Sequence, residues 1–145
     1  MEPAVRALGY VLDEYSIGLS GTTVAVVGQG RLVGGPIARW LRDQGAQVSV
    51  IDITTPEPAS VAARCDLVVT GVGRPGLITG EWIKDGATVV DFGYGKKGDA
   101  FAGDVDFESV AKKAGLITPV PGGMGPLVIA AVLENVVELA ALGQQ

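Results

Sequence analysis

Histidine is absent from this sequence, and cysteine occurs once, at Cys65. Without histidine there is no Ser-His-Asp triad, no imidazole relay and no ordinary zinc site. A single cysteine excludes an internal disulfide and any multi-cysteine metal cluster, so no metal ligands are assigned. Acid–base work would fall to Asp, Glu, Lys, Tyr or Cys. Basic runs are missing as well: eleven Lys and Arg against sixteen Asp and Glu leave a net charge of -5, with no block longer than Lys96-Lys97 or Lys112-Lys113. Nucleic acid and anionic membranes are therefore not expected as partners. The N-terminus lacks the basic-then-apolar run of a signal peptide, which predicts a cytoplasmic protein. A chain of 145 residues, 48% hydrophobic, has material for one core and hence for one domain, residues 1–145.

What is present is a strand-to-helix handover at Val24 to Gly34, V-A-V-V-G-Q-G-R-L-V-G. Four apolar residues end in Gly28, and a helical pattern starts directly behind Gly34. Glycines at such a bend permit a tight turn and bring the backbone close to a pyrophosphate, whose charge sits at the positive end of the helix. Gly28, Gln29, Gly30, Arg31, Leu32, Val33 and Gly34 form the candidate cradle. The spacing is G-x-G-x-x-x-G, not the usual G-x-G-x-x-G, so a plain glycine-rich turn reads the motif equally well on its own.

Along the chain, Val5, Leu8, Leu12 and Tyr15 mark a short amphipathic helix after Pro3. The helix after the glycine turn closes at Gly45. Val48 to Ile53 reads as a second buried strand with Asp52 at its C-terminal end, and Ala59 to Arg64 as a short helix. Asp66 to Gly71 reads as a third strand running into Val72-Gly73-Arg74-Pro75-Gly76. A short helix over Gly80 to Lys84 and a fourth strand, Ala87 to Phe92, follow. Gly93 to Gly103 reads as a flexible loop or hairpin. Asp106 is placed to cap a helix through Ala114, and Leu116 to Val120 is a fifth strand. A final helix runs from Pro126 to Leu142, polar only at Glu134, Asn135 and Glu138. At about 25 Å it is of borderline length for a membrane, and its two carboxylates argue for a helix covered on most of its surface by protein. Strands alternating with helices predict an α/β fold, Rossmann-like and doubly wound, with a mostly parallel sheet. Ligands gather beyond the C-terminal strand ends of such sheets, where all the unusual loops fall.

Several of these loops carry recognisable residues. I-T-P-V-P-G-G-M-G-P at Ile117 to Pro126 with Leu133-Glu134-Asn135 behind it, V-G-R-P-G at Val72 to Gly76, V-D-F-G at Val90 to Gly93 and G-D-V-D-F at Gly103 to Phe107 stand in this order. The chain closely resembles the C-terminal, cofactor-binding half of the methylenetetrahydrofolate dehydrogenase/cyclohydrolase family. The resemblance implies NAD(P)-linked interconversion of methylene- and methenyl-tetrahydrofolate, with hydrolysis of the methenyl form in most members, in one-carbon metabolism. It also implies that the catalytic lysine and tyrosine belong to a separate N-terminal folate domain. Their Tyr-x-x-x-Lys motif does not occur here: Tyr10, Tyr15 and Tyr94 are followed four places later by Glu14, Leu19 and Gly98. No catalytic residue is therefore assigned.

Departures from the family pattern bear on the cofactor. Gly28-Gln29-Gly30 stands where the family typically has Gly-Arg-Ser, Asp52-Ile53-Thr54 replaces a His-Ser-Arg-like run, and Gly93-Tyr94-Gly95 replaces Gly-Ile-Asn. Leu127-Val128 replaces Met-Thr. Asp52 can accept hydrogen bonds from the adenosine ribose hydroxyls, so NAD is the expected cofactor, with NADP left open because Arg31 could swing over. The expected cofactor contacts are the Gly28 to Gly34 turn, Asp52, Val72, Gly73, Arg74, Pro75, Gly93, Tyr94, Gly122 and Gly123. Arg74 reads equally as a phosphate contact or a surface charge, Tyr94 as a nicotinamide contact or a plain loop aromatic. Asp91 reads as structural, Lys84, Lys96 and Lys97 as solvated charges, Cys65 as an inert core residue. A tetrahydrofolate derivative is expected only with a catalytic domain, and the apolar last helix predicts a homodimer or a partner domain. The competing reading is a stand-alone dinucleotide-binding or interaction module without folate chemistry.

Overall fold

Period-two alternation sorts the strand side chains onto two faces. In β1 (Thr23–Val27) Val24 and Val26 point into one apolar cluster, Ala25 and Val27 into another; in β3 (Leu67–Thr70) Leu67 and Val69 share the first and Val68 the second. β4 (Thr88–Asp91) divides Val90 and Val89 in the same way. A sheet with two apolar faces must be covered on both. The computed structural model describes residues 1–144 and shows this cover: α1 (Pro3–Glu14), α2 (Gly34–Asp43) and part of α5 (Met124–Leu142) on one face, α3 (Pro58–Ala62), a 3-10 turn at Gly80–Trp82 and α4 (Phe107–Ala111) on the other.

With β2 (Gln47–Ile51) and β7 (Leu116–Ile117) the sheet has five parallel strands in the order β2-β1-β3-β4-β7. β5 (Gly95–Lys97) and β6 (Ala100–Ala102) form a separate antiparallel hairpin, so Gly93 to Gly103 resolves in favour of the hairpin. The doubly wound reading holds. β2 differs from its expectation: it is an edge strand whose Gln47 and Ser49 are exposed, because nothing pairs with its outer side among the described residues. β7 stops at Ile117 where Leu116 to Val120 was expected, since Pro119 and Pro121 have no N–H to offer a ladder. α4 ends at Ala111 and begins without a side-chain cap from Asp106.

The larger correction concerns α5. The sequence predicts a helix mostly covered by protein, but only Met124 and Ala131 are buried. By length and composition α5 is apolar enough to cross a membrane, with a mean hydropathy of 1.7. Its polarity runs opposite to that of a surface helix: the stripe Ala131, Glu134, Asn135, Glu138, spaced by three and four, faces α1. There Arg6 donates to Glu134 at 3.0 Å and to both oxygens of Glu138 at 2.8 and 2.9 Å, Tyr10 donates to Glu134, and Asn135 donates to the Met1 carbonyl at 2.8 Å. The two carboxylates raise the pKa of Arg6, and the hydrogen bonds from Tyr10 and Arg6 lower that of Glu134. Ile129, Leu133, Val136 and Val137, on the opposite side, are all exposed.

Candidate functional site

The register of the sheet brings the glycine turn between its two neighbours. Gly28 N–H donates to Ile51 O at 2.9 Å, which sets Asp52 beside the turn on one side, and Gly71 N–H donates to Val27 O at 3.2 Å, which sets Val72 on the other. Gly28 has φ +92°, and a Cβ there would press on Val72 Cγ2 at 3.0 Å, so conformation and contact both demand glycine. Gly34, the first residue of α2, packs directly against the Gly28 carbonyl. Gly30 is different. Its side-chain position meets no protein atom within 4 Å. Nothing in the protein requires that position to be bare, whereas a ligand backbone laid over the turn would.

Asp52 lies just past β2 and is exposed. Its Oδ1 accepts from Thr54 N–H at 2.8 Å and Thr54 Oγ1–H at 2.6 Å, while Thr55 Oγ1 accepts the Asp52 N–H at 3.0 Å. The Thr54 hydrogen bonds hold its carboxyl below the usual range. Its Oδ2 has no hydrogen-bond partner and Asp52 no ion pair among the described residues, and the same holds of ion pairs for Arg31 and Arg74. Gln29 turns its amide back onto the Gly28 carbonyl at 2.7 Å.

On the far side of the turn a cleft of about 740 Å³ opens between Leu32 and Val33, the Gly93-Tyr94 segment and Pro119 to Pro126, and continues along Val128, Ile129 and Val132 of α5. Gly122 and Gly123 form part of its rim. Tyr94 stacks on Phe101 of the hairpin, ring centroids 4.6 Å apart and nearly parallel. Of the expected contacts, the glycine turn, Asp52, Val72 to Pro75, Gly93, Tyr94, Gly122 and Gly123 all fall at the C-terminal strand ends, and Leu32, Val33, Gly93, Tyr94, Gly122 and Gly123 line the cleft itself.

Two buried carboxylates underlie these loops, Asp91 at the wall of the cleft and Asp104. Asp91 accepts from the N–H groups of Gly93 (2.7 Å), Asp104 (3.2 Å) and Val105 (3.0 Å), which makes it structural, as its place after a buried Val-Val run suggests. Burial pushes its pKa up to about 6 against those hydrogen bonds. Asp104, fully buried, is the residue the sequence reading missed. The G-D-V-D-F motif marked its segment, and no local pattern revealed its partners. Cys65 is buried, with its thiol pushed up by that burial, and Lys84 pairs with Asp66 at 2.6 Å on the surface instead of standing free in solvent.

Known proteins share this fold. Residues 3–144 match the family model described as the tetrahydrofolate dehydrogenase/cyclohydrolase NAD(P)-binding domain. The bifunctional protein FolD of Nitratiruptor sp. is 45% identical over 130 residues, 90% of this chain and 46% of that protein. The crystal structure of the bifunctional FolD enzyme from Campylobacter jejuni superposes with a TM-score of 0.90 at 38% identity, over 93% of this chain and 48% of that one. The FolD of Trypanosoma brucei, solved with NADP cofactor and an inhibitor, gives 0.89 at 36% identity over the same shares. The chain thus spans about half the length of these relatives. The match covers nearly the whole chain, and the chain belongs to the tetrahydrofolate dehydrogenase/cyclohydrolase family as its NAD(P)-binding domain.

Proposed function

We propose that this chain is the NAD-preferring cofactor domain of a methylenetetrahydrofolate dehydrogenase, and that it turns over only when a folate-binding domain completes the site. When bound, the nicotinamide ring accepts a hydride from the substrate. The residues of this chain bind and orient. The Gly28 to Gly34 turn and the N-terminus of α2 would hold the pyrophosphate, Asp52 Oδ2 would accept from the adenosine ribose, and Val72 to Pro75, Gly93-Tyr94 and Gly122-Gly123 would hold the nicotinamide end. The apolar cleft keeps water from that end. Hydride transfer requires donor and acceptor about 3–3.5 Å apart, and the chain has no Tyr-x-x-x-Lys pair of its own to serve the folate.

The observation that carries the NAD preference is the unpartnered Asp52 Oδ2 beside Gly28. The 2′-phosphate of NADP would meet a carboxylate there, with Arg31 the one cation of the glycine turn and Gln29, Ile53 and Thr54 neutral. Calorimetric titration of the chain with both cofactors tests this. NAD should bind about tenfold tighter or more, and Asp52→Ser should collapse the ratio. Equal or tighter NADP binding by the wild type would overturn the preference; an unchanged ratio in the variant would remove Asp52 as its cause.

The same reading supplies a partner for the outer face of α5. The relatives carry about as much chain again, and Ile129 and Val132 belong both to that face and to the cleft. A folate domain seated on α5 covers the apolar face and roofs the cleft where folate must arrive. Light scattering of the chain with a separately expressed folate domain should show a one-to-one complex that Val136→Glu disrupts. A homodimer that excludes that domain, or binding to neutral vesicles, would overturn it.

A further inference from the structure

The sheet does not order the loop after β3. The β1–β3 ladder ends at Thr70, yet Val72, Gly73 and Arg74 are tied down by one side chain. Asp104 Oδ2 accepts from Thr70 Oγ1–H and Val72 N–H, both at 2.7 Å, and its Oδ1 accepts from Gly73 N–H and Arg74 N–H, both at 2.9 Å. Three consecutive amides converge on one anion, the geometry of a backbone nest, and here the anion is supplied from 30 residues further along the chain. Asp104 is itself held: its N–H donates to Asp91 and its carbonyl accepts from Ile78 N–H at 2.9 Å. The bare α-carbon of Gly93 makes room for it, since a Cβ there would come within 2.6 Å of the Asp104 nitrogen. On its other side the tethered loop presses Val72 against the Gly28 turn.

We infer that Asp104 is a positioning residue for the dinucleotide site, presetting the Val72 to Arg74 backbone against the Gly28 turn so that the nicotinamide half of the cofactor meets an ordered wall. This rests on the reading of the chain as a dinucleotide-binding domain. The strand order supplies the selectivity for one half. Asp52 follows β2 and the tethered loop follows β3, on opposite sides of β1, so a dinucleotide laid across Gly28 places adenosine toward Asp52 and nicotinamide toward Val72. A wall ordered beforehand spares the cofactor the cost of ordering it on binding. The chemistry also restricts the residue. All four partners present hydrogens, and only the Thr70 hydroxyl can turn round to accept, so an amide side chain leaves at least one backbone N–H facing a donor.

The test compares NAD with ADP, which spans only the adenosine and pyrophosphate side, by titration of wild type, Asp104→Asn, Thr70→Val and Thr70→Ser. Asp104→Asn should weaken NAD about tenfold while ADP stays within about twofold; Thr70→Val should weaken NAD about threefold, with Thr70→Ser near wild type. A purely structural role would shift both ligands together or neither, and either result overturns the inference. If Asp104→Asn does not fold, the Thr70 pair decides, equal NAD binding by valine and serine counting against it. A wild type that binds neither ligand refutes the dinucleotide reading and this inference with it; a wild type that binds NAD with variants that bind it equally well refutes this inference alone.

Discussion

Alanine at Gly34 sets two known effects against each other. Gly34 opens α2, and its φ lies outside the left-handed region, so on helix propensity alone alanine should stabilise by about 1 kcal/mol. The added Cβ would lie 2.7 Å from the Gly28 carbonyl carbon, closer still to its oxygen, and 3.2 Å from Gln29 Cα. Carbon atoms settle about 3.5–4.0 Å apart, so turn and helix must separate by roughly 1 Å. The obstacle is backbone, which no rotamer change relieves, and overpacking of this kind costs about 1–3 kcal/mol at least. The clash should win by up to about 2 kcal/mol, which at a urea slope of about 1–2 kcal/mol/M lowers the midpoint by about 1 M. Trp40, on α2 itself, is a fluorescent reporter for the transition. With the turn acting as the proposed cofactor cradle, NAD affinity should fall as well. Gly30→Ala is the control: with no protein atom within 4 Å, it should keep the wild-type midpoint and lose only NAD affinity. A Gly34→Ala protein as stable as wild type would refute the close approach of helix and turn, and with it the account of why the motif needs its last glycine.

Acid should stabilise the fold over a limited range. Asp91 keeps its proton up to about pH 6 in the folded chain and only to about 3.8 unfolded, so the folded state binds more protons between those values; the stability Asp91 adds is full below the lower value and lost as pH rises through the upper. Stability read from urea curves should therefore rise by about 1.3 kcal/mol from pH 7 to pH 5, and Asp91→Asn should flatten that slope; a wild-type slope of the opposite sign would refute it. Opposite faces of α5 should respond oppositely. Ala131→Leu, at a fully buried position one turn before Glu134 and Asn135, should cost about 1–3 kcal/mol, whereas Val136→Ser on the exposed face should change the stability of the isolated chain by less than about 0.5 kcal/mol, both read from urea curves.

Local rules accounted for much of the molecule. The β-branched runs ending in glycine, the strand–helix alternation and the placement of Gly28 to Gly34, Asp52 and Gly122-Gly123 at strand ends follow from side-chain period and turn chemistry, which act over a few residues and are visible in a linear string. The role of Asp104 was not visible. Its partners lie about 30 residues away, and a carboxylate that caps a distant loop reads in sequence like one that faces solvent.

By itself the sequence determined the fold class, the glycine turn at the end of β1 and the family, because period, glycine spacing and ordered motifs are all written along one dimension. Tertiary structure alone decided three matters: that β2 lies at an edge, that Asp104 organises the loop beside Gly28, and that α5 turns its carboxylates inward to Arg6 and its apolar side outward. A helix whose few polar residues share one stripe carries no signal for whether that stripe meets solvent or a neighbour. That choice is made by the ion pairs and packing of the element it meets, here α1, more than 120 residues away in the chain.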